Sequence, residues 1–141
     1  MSFTDEEIAY LRSQRLARIA TVAPDGQPDV SPVGFEFDDG RFYVGGLDLK
    51  RTRKFRNVEA GNTKVALVID DMVSMDPWTP RFMRVYGTAD WTERPQGPGG
   101  SGSAPFLRIT PTLSWSWNLA GRPFGDAEGD FTARRTVHTT A

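Results

Sequence analysis

Two tight-turn signals set the fold of the first half of the chain. Pro24-Asp25-Gly26-Gln27 and Asp39-Gly40 divide residues 17–45 into three short segments of β character. Pro, Asp and Gly together favour the φ values a reversal needs, and Asp-Gly is a preferred two-residue hairpin connection. Residues 17–23 read as the first strand. Residues 30–37 read as the second, with Val33, Phe35 and Phe37 alternating against Gly34 and Glu36, and residues 41–45 as the third. Three strands joined this way predict an antiparallel meander.

Around that meander the rest of the chain arranges itself. Thr4-Asp5-Glu6-Glu7 has the form of a capping box at a helix start, with acidic groups at the positive end of the dipole. That helix should end near Gln14 or Arg15. A second helix is expected over 50–59, closed by Gly61. Further strands are expected over 64–69, 81–91, 106–109 and 112–119. Residues 70–80 are expected to be irregular, and the Gly-, Ser- and Pro-rich stretch 95–105 to be a loop. About six antiparallel strands with two short helices define a mainly β fold, a closed or partly closed barrel. With 141 residues and no internal repeat, the chain reads as a single domain, 1–141.

Charge narrows the functions open to such a barrel. Seventeen basic and eighteen acidic residues leave a net charge of -1, which gives no global attraction to nucleic acid. Cysteine is absent, so disulfides, thiolate metal sites and cysteine nucleophiles are excluded. The acidic start is not that of a secretory signal, and no apolar run has the length of a membrane span, so a cytoplasmic location is expected. His138, the sole histidine, lies in a polar tail, which argues against a catalytic triad or a histidine metal site. Neither a P-loop nor a GxGxxG motif occurs. Difficult chemistry would then belong to a bound cofactor.

One segment stands out. In Lys50-Arg51-Thr52-Arg53-Lys54-Phe55-Arg56-Asn57, five of the first seven residues are cationic. Cations disfavour a helix N-terminus, whereas an anion is welcome there. The arrangement suggests a phosphate partner gripped by Arg, Lys and the Thr52 hydroxyl; the plainer alternative is a solvated face paired with carboxylates. Nearby, Pro32 cannot donate to a β-ladder, so Ser31-Pro32-Val33 belongs at an edge or bulge where backbone groups can meet a planar ring. Trp115 and Trp117 share one face of their strand, with serines on the other. That pattern suits core, a subunit interface or a ring-stacking wall. Trp78 is a weaker candidate of the same kind, and Tyr43 and Tyr86 are candidate proton donors.

The order of "RLARIATVAPDGQPDVSPVGFEFDDGRFYV", "KRTRKFRNV", "GNTKVALVIDD", "RVYGTADW" and "LRITPTLSWSWN" resembles the pyridoxamine-phosphate-oxidase-like split-barrel superfamily, in particular its F420-dependent reductases of the tetracycline-pathway type. The resemblance implies a split β-barrel homodimer with two cofactor sites at the interface. It implies that Arg51, Thr52, Arg53, Lys54 and Asn57 meet the phosphate-bearing tail and that a flavin-like ring lies along Ser31, Pro32 and Val33. Trp115 and Trp117 would complete the pocket, from the same or the other subunit. The implied cofactor is coenzyme F420, with FMN as the alternative. The implied activity is hydride transfer to an electron-poor small molecule such as an enone or quinone. An FMN-dependent oxidase or flavin reductase and a non-catalytic F420 carrier are the other readings, with no membrane or nucleic-acid partner.

Overall fold

The computed structural model describes residues 2–97 and 100–139. Helix α1 (Asp5–Ser13) opens as the sequence predicts: Thr4 Oγ1 accepts from the Glu7 amide at 3.1 Å and Glu7 Oε1 accepts from the Thr4 amide at 2.9 Å. Strands β1 (Leu16–Val22) and β2 (Pro28–Gly34) form the first hairpin. Strands β3 (Glu36–Asp38) and β4 (Arg41–Val44) form the second, with Asp39 and Gly40 both at positive φ as the tight turn requires.

A meander does not form. The segment expected as one strand over 30–37 breaks at Phe35 into β2 and β3, and these lie at opposite ends of the sheet path β2-β1-β5-β6-β7-β4-β3. Six strand spacings of about 4.8 Å would put the ends of a flat sheet roughly 29 Å apart. Gly34 and Glu36, two residues apart, can be separated by no more than about 7 Å. The sheet therefore curls until its ends meet. The result is a split barrel, as the fold class predicted, with β2 and β3 paired on one side only.

The other strands are longer than their sequence signals. Strand β5 runs Lys64–Ser74 and β6 runs Thr79–Pro95, so most of the stretch expected to be irregular is a β-hairpin. Strand β7 spans Ser103–Trp117 in one piece. Pro111, which separated two expected strands, sits at a bulge opposite Gly87. A Cβ on Gly87 would lie 2.7 Å from the Thr110 carbonyl, so the bulge needs glycine there. The Gly-rich loop is shortened to 96–102, and its Pro98 and Gly99 lie outside the described residues.

Inside the barrel Phe42, Leu67, Ile69, Met83, Leu107 and Ile109 are buried, each contributing about 1.5–3 kcal/mol by leaving water. Two polar ties fix the ends of the chain to it. Tyr10 donates to Asp71 at 2.9 Å, and Arg81 grips the same carboxylate through two bonds of 2.8 and 3.0 Å. Burial alone would raise the Asp71 carboxyl, but these donors outweigh it and hold the group below its ordinary value.

The second tie was not foreseen. The polar tail forms a strand, β8 (Arg134–Val137), which pairs with β7 over Leu113–Ser116. Arg134 reaches the almost fully buried Glu7 at 2.8 Å, and Ser116 donates to the other Glu7 oxygen at 2.6 Å. His138 Nε2 lies 2.7 Å from the buried Ser114 hydroxyl, with its ring against Phe3.

Burial depresses the His138 imidazole below its ordinary value; Glu7 opposes this and Arg134 reinforces it. The unfolded chain therefore takes up a proton near pH 6.5 while the folded chain still excludes it. Unfolding free energy should fall as pH drops from about 7.5 to 5.5, levelling once the folded imidazole protonates. With no other histidine present, His138→Gln should flatten that slope in denaturant titrations across this range.

Candidate functional site

The basic segment folds as a turn followed by a helix. Lys50 and Arg51 belong to a 3-10 turn, Leu49–Arg51, and Thr52 caps helix α2, Arg53–Glu59. Leu49, Phe55 and Val58 anchor the segment in the core, which leaves the cations outside. The Thr52 hydroxyl accepts from the Phe55 amide at 3.3 Å and donates to the Leu49 carbonyl at 2.6 Å. Its place is to shape the turn. Asn57 is buried and donates to the Thr21 hydroxyl at 2.9 Å, tying α2 to β1.

The five cations point to the surface of the segment. Arg51, Arg53 and Arg56 are exposed and Lys54 is half-buried, while Lys50 extends over the Trp91 ring at 4.2 Å. Among the described residues none of the five pairs with a carboxylate. Six arginines elsewhere do: Arg18 with Asp70, Arg81 with Asp71, Arg94 with Glu36, Arg108 with Asp90, Arg122 with Asp126 and Arg134 with Glu7. Among the described residues Arg12, Arg15, Arg41, Arg84 and Arg135 also lack a carboxylate partner, but residues 50–56 gather five unneutralised cations into seven positions. Such a surface suits a polyanion better than a merely solvated face.

Ser31, Pro32 and Val33 lie on β2, whose second edge pairs with no strand among the described residues, as proline at 32 predicted. Where β2 gives way to β3, a cleft of about 590 Å³ opens at the split of the barrel. The end of α1 supplies Arg12 and Arg15, the break supplies Gly34 and Phe35, and the exit of β4 supplies Gly45 and Gly46, which lead into the basic turn. Tyr43, a candidate proton donor, lines it beneath Arg94, whose guanidinium sits 3.7 Å above the ring. Of these cleft residues the sequence singled out Tyr43, and Gly34 and Phe35 as the end of the Pro32 strand segment; it gave no functional signal at Arg12, Arg15, Gly45 or Gly46.

Trp115 and Trp117 point away from the core, and the serines that alternate with them point inward, Ser116 to Glu7 and Ser114 to His138. The structure thereby removes the core alternative for the tryptophans. Arg84 stacks on Trp115 at 4.1 Å, with Tyr86 edge-on at 5.0 Å. Trp117 is covered by its own tail: its indole donates to the Phe131 carbonyl at 2.6 Å, and Phe82, Phe124 and Phe131 surround it. Pro32 and Trp115 stand in one row across the outer face, through Arg18, Val68 and Arg84. Four strand spacings, roughly 19 Å along the sheet, separate them. Within one chain they do not line the same pocket. Trp78 is half exposed at the far hairpin tip, and Tyr86 lies on the outer face.

The fold is a split barrel with an open β2 edge and an unneutralised basic turn. The profile of the pyridoxamine 5'-phosphate oxidase family matches residues 3–98, and the chain belongs to that family. It is similar to the 5a,11a-dehydrotetracycline/5a,11a-dehydrooxytetracycline reductase of Streptomyces rimosus, with 40% identity over 86% of this chain and 87% of that one. The family and this relative make the chain an oxidoreductase. Among solved structures, a conserved protein from Mycobacterium tuberculosis shares the fold at a TM-score of 0.67 and 21% identity, over 92% of each chain. A structure described as an F420 reductase does so at 0.55 and 22% identity, over 72% of this chain and 89% of that one. No helix among the described residues is long and apolar enough to cross a membrane.

Asn57→Ala separates scaffold from ligand contact. It leaves the Thr21 hydroxyl buried without its donor, so unfolding free energy should fall by about 1–3 kcal/mol. Denaturant titration measures it.

Proposed function

We propose that this protein is a reductase dependent on coenzyme F420, acting on an electron-poor small molecule such as an enone or quinone. Two features together carry this reading: the unneutralised basic turn, tied to β1 through Asn57 and Thr21, offers charge for a phosphate tail, and the open edge of β2, the strand paired with β1, offers backbone for a ring. The Streptomyces relative supports it as a reductase of a dehydro compound, and the structural likeness to an F420 reductase agrees with it. When bound, the deazaflavin supplies the hydride. The chain's own residues bind and orient.

In this reading Arg51, Arg53 and Lys54 hold the phosphate, Arg as a fork and Lys as a point charge. Thr52 and Asn57 act behind them by fixing the cap and the helix. Ser31, Pro32 and Val33 present backbone to the ring edge. The second wall of the pocket comes from another copy of the chain. The outer face supports this with a row of apolar side chains across six strands, Val30, Ala20, Ala66, Tyr86, Leu113 and Val137, several of them open to water. A homodimer joined on that face would cover the row and bring Trp115 of one subunit toward β2 of the other. FMN is the second reading, favoured by the oxidase family that the chain matches, because the same cations suit its single phosphate.

Fluorescence titrations of the apo-protein with F420 and FMN decide between the two. F420 should bind more tightly, and Arg51→Ala with Lys54→Ala should weaken it at least about a hundredfold, from two charge-assisted contacts of about 1.5–3 kcal/mol each. Unchanged affinity in the double variant would remove the phosphate assignment. Tyr86→Asp should convert the dimer to monomer in sedimentation and reduce cofactor affinity with it.

A further inference from the structure

We propose that the cleft at the split of the barrel is the acceptor pocket and that it selects planar molecules bearing a carboxylate or an ionised enol, with Arg12 and Arg15 as its specificity-determining residues. The inference rests on the cofactor placement above and adds the class of acceptor. Gly34 in the cleft directly follows Val33, and Gly45-Gly46 lead into the basic turn. A molecule in the cleft would therefore sit between the strand assigned to the ring and the turn assigned to the tail.

Shape and charge then specify the guest. A volume of about 590 Å³ suits a ligand of several fused rings. Phe35 and Phe106 give it aromatic walls. A Cβ on Gly45 would lie 2.7 Å from the Phe106 ring, so glycine at that position is what lets the ring lie back against β4. The carboxylate in the cleft, Glu36, is held by Arg94 at 3.3 Å, and Asp38 lies 3.6 Å from the same guanidinium. Arg12 and Arg15 are exposed, and among the described residues neither pairs with a carboxylate. Placement near the negative end of α1 explains a cation at Arg12. It does not explain a second one at Arg15, beyond the cap at Gln14 and on the same cleft. Two guanidinium forks above aromatic walls match a flat anion, which can stack and accept paired hydrogen bonds at once.

Binding of anthraquinone-2-carboxylate and of its neutral analogue 2-(hydroxymethyl)anthraquinone to the full chain without cofactor tests this by calorimetry. The carboxylate should bind at least about tenfold more tightly, a difference of about 1.4 kcal/mol. The Arg12→Ala, Arg15→Ala double variant should bind both alike and keep its affinity for F420. Gly45→Ala, which drives Phe106 into the cleft, should weaken both probes together. Equal binding in the unsubstituted protein, no binding of either probe, or a preference that survives the double variant would overturn the proposal. So would a loss of F420 affinity in the double variant, since the cleft would then belong to the cofactor. Failure of the F420 titration in the unsubstituted protein would instead strike the cofactor reading and leave the probe result standing.

Discussion

A single residue, Phe35, joins the two ends of a seven-strand path, and most of the molecule's form follows from that short tether. Because β2 and β3 cannot separate, the sheet must curl, and the curl creates an interior filled by Phe42, Leu67 and Ile109. Closure is incomplete, since β2 and β3 do not bond to each other. The unclosed seam is where the cleft opens, between the end of α1 and the exit of β4. Fold and site thus share one cause.

The ends of the chain would be loose without the two polar ties. Asp71 collects Tyr10 and Arg81, and Glu7 collects the Thr4 amide, Ser116 and Arg134. Burial of a carboxylate is costly unless its oxygens are satisfied, so each tie works as a unit whose members hold one another. Both pass through α1. That helix carries Arg12, and Arg15 lies just beyond it, so the ties that secure the termini also set where two cleft cations stand. The C-terminal strand has a further consequence, because Arg135 and Val137 widen the outer face beside Trp115 and Leu113.

What the sequence revealed was whatever a few neighbouring residues decide. The Thr4–Glu7 box, the Asp39-Gly40 turn and the proline edge of β2 all appear where residues within about four positions dictate them. The break at Phe35 was invisible because it leaves the alternation intact. Val33 and Phe37 are both buried although they belong to opposite ends of the sheet, since both ends face one interior. Strand β8 was invisible for the opposite reason. Arg134 and His138 find their partners on α1 and β7, far away in sequence, so the segment reads as a polar tail. At the site, the charge run was plain in the sequence, but the division of labour within it was not. Thr52 and Asn57 look like ligands in a string of letters and prove to be the cap and the anchor of the turn.

The spacing of the candidate site residues is what the proposed second copy would have to answer. Trp115 lies four strands from Pro32 on a surface that curves away, so bending the barrel further cannot bring them face to face. A ring lying on β2 of an isolated chain would have one wall and open water on the other side. Water there would compete for the backbone edge and weaken every electrostatic contact through its high dielectric constant. In the proposed dimer a second copy seated on the Val30-to-Val137 row would remove that water and bury the exposed apolar surface in the same step. Burial of the row and completion of the pocket would then be one event, which couples assembly to cofactor affinity. In that proposed arrangement the bare cations at 50–56 would gain as well, since charge held beside an enclosed ring grips a phosphate more firmly than charge on an open surface.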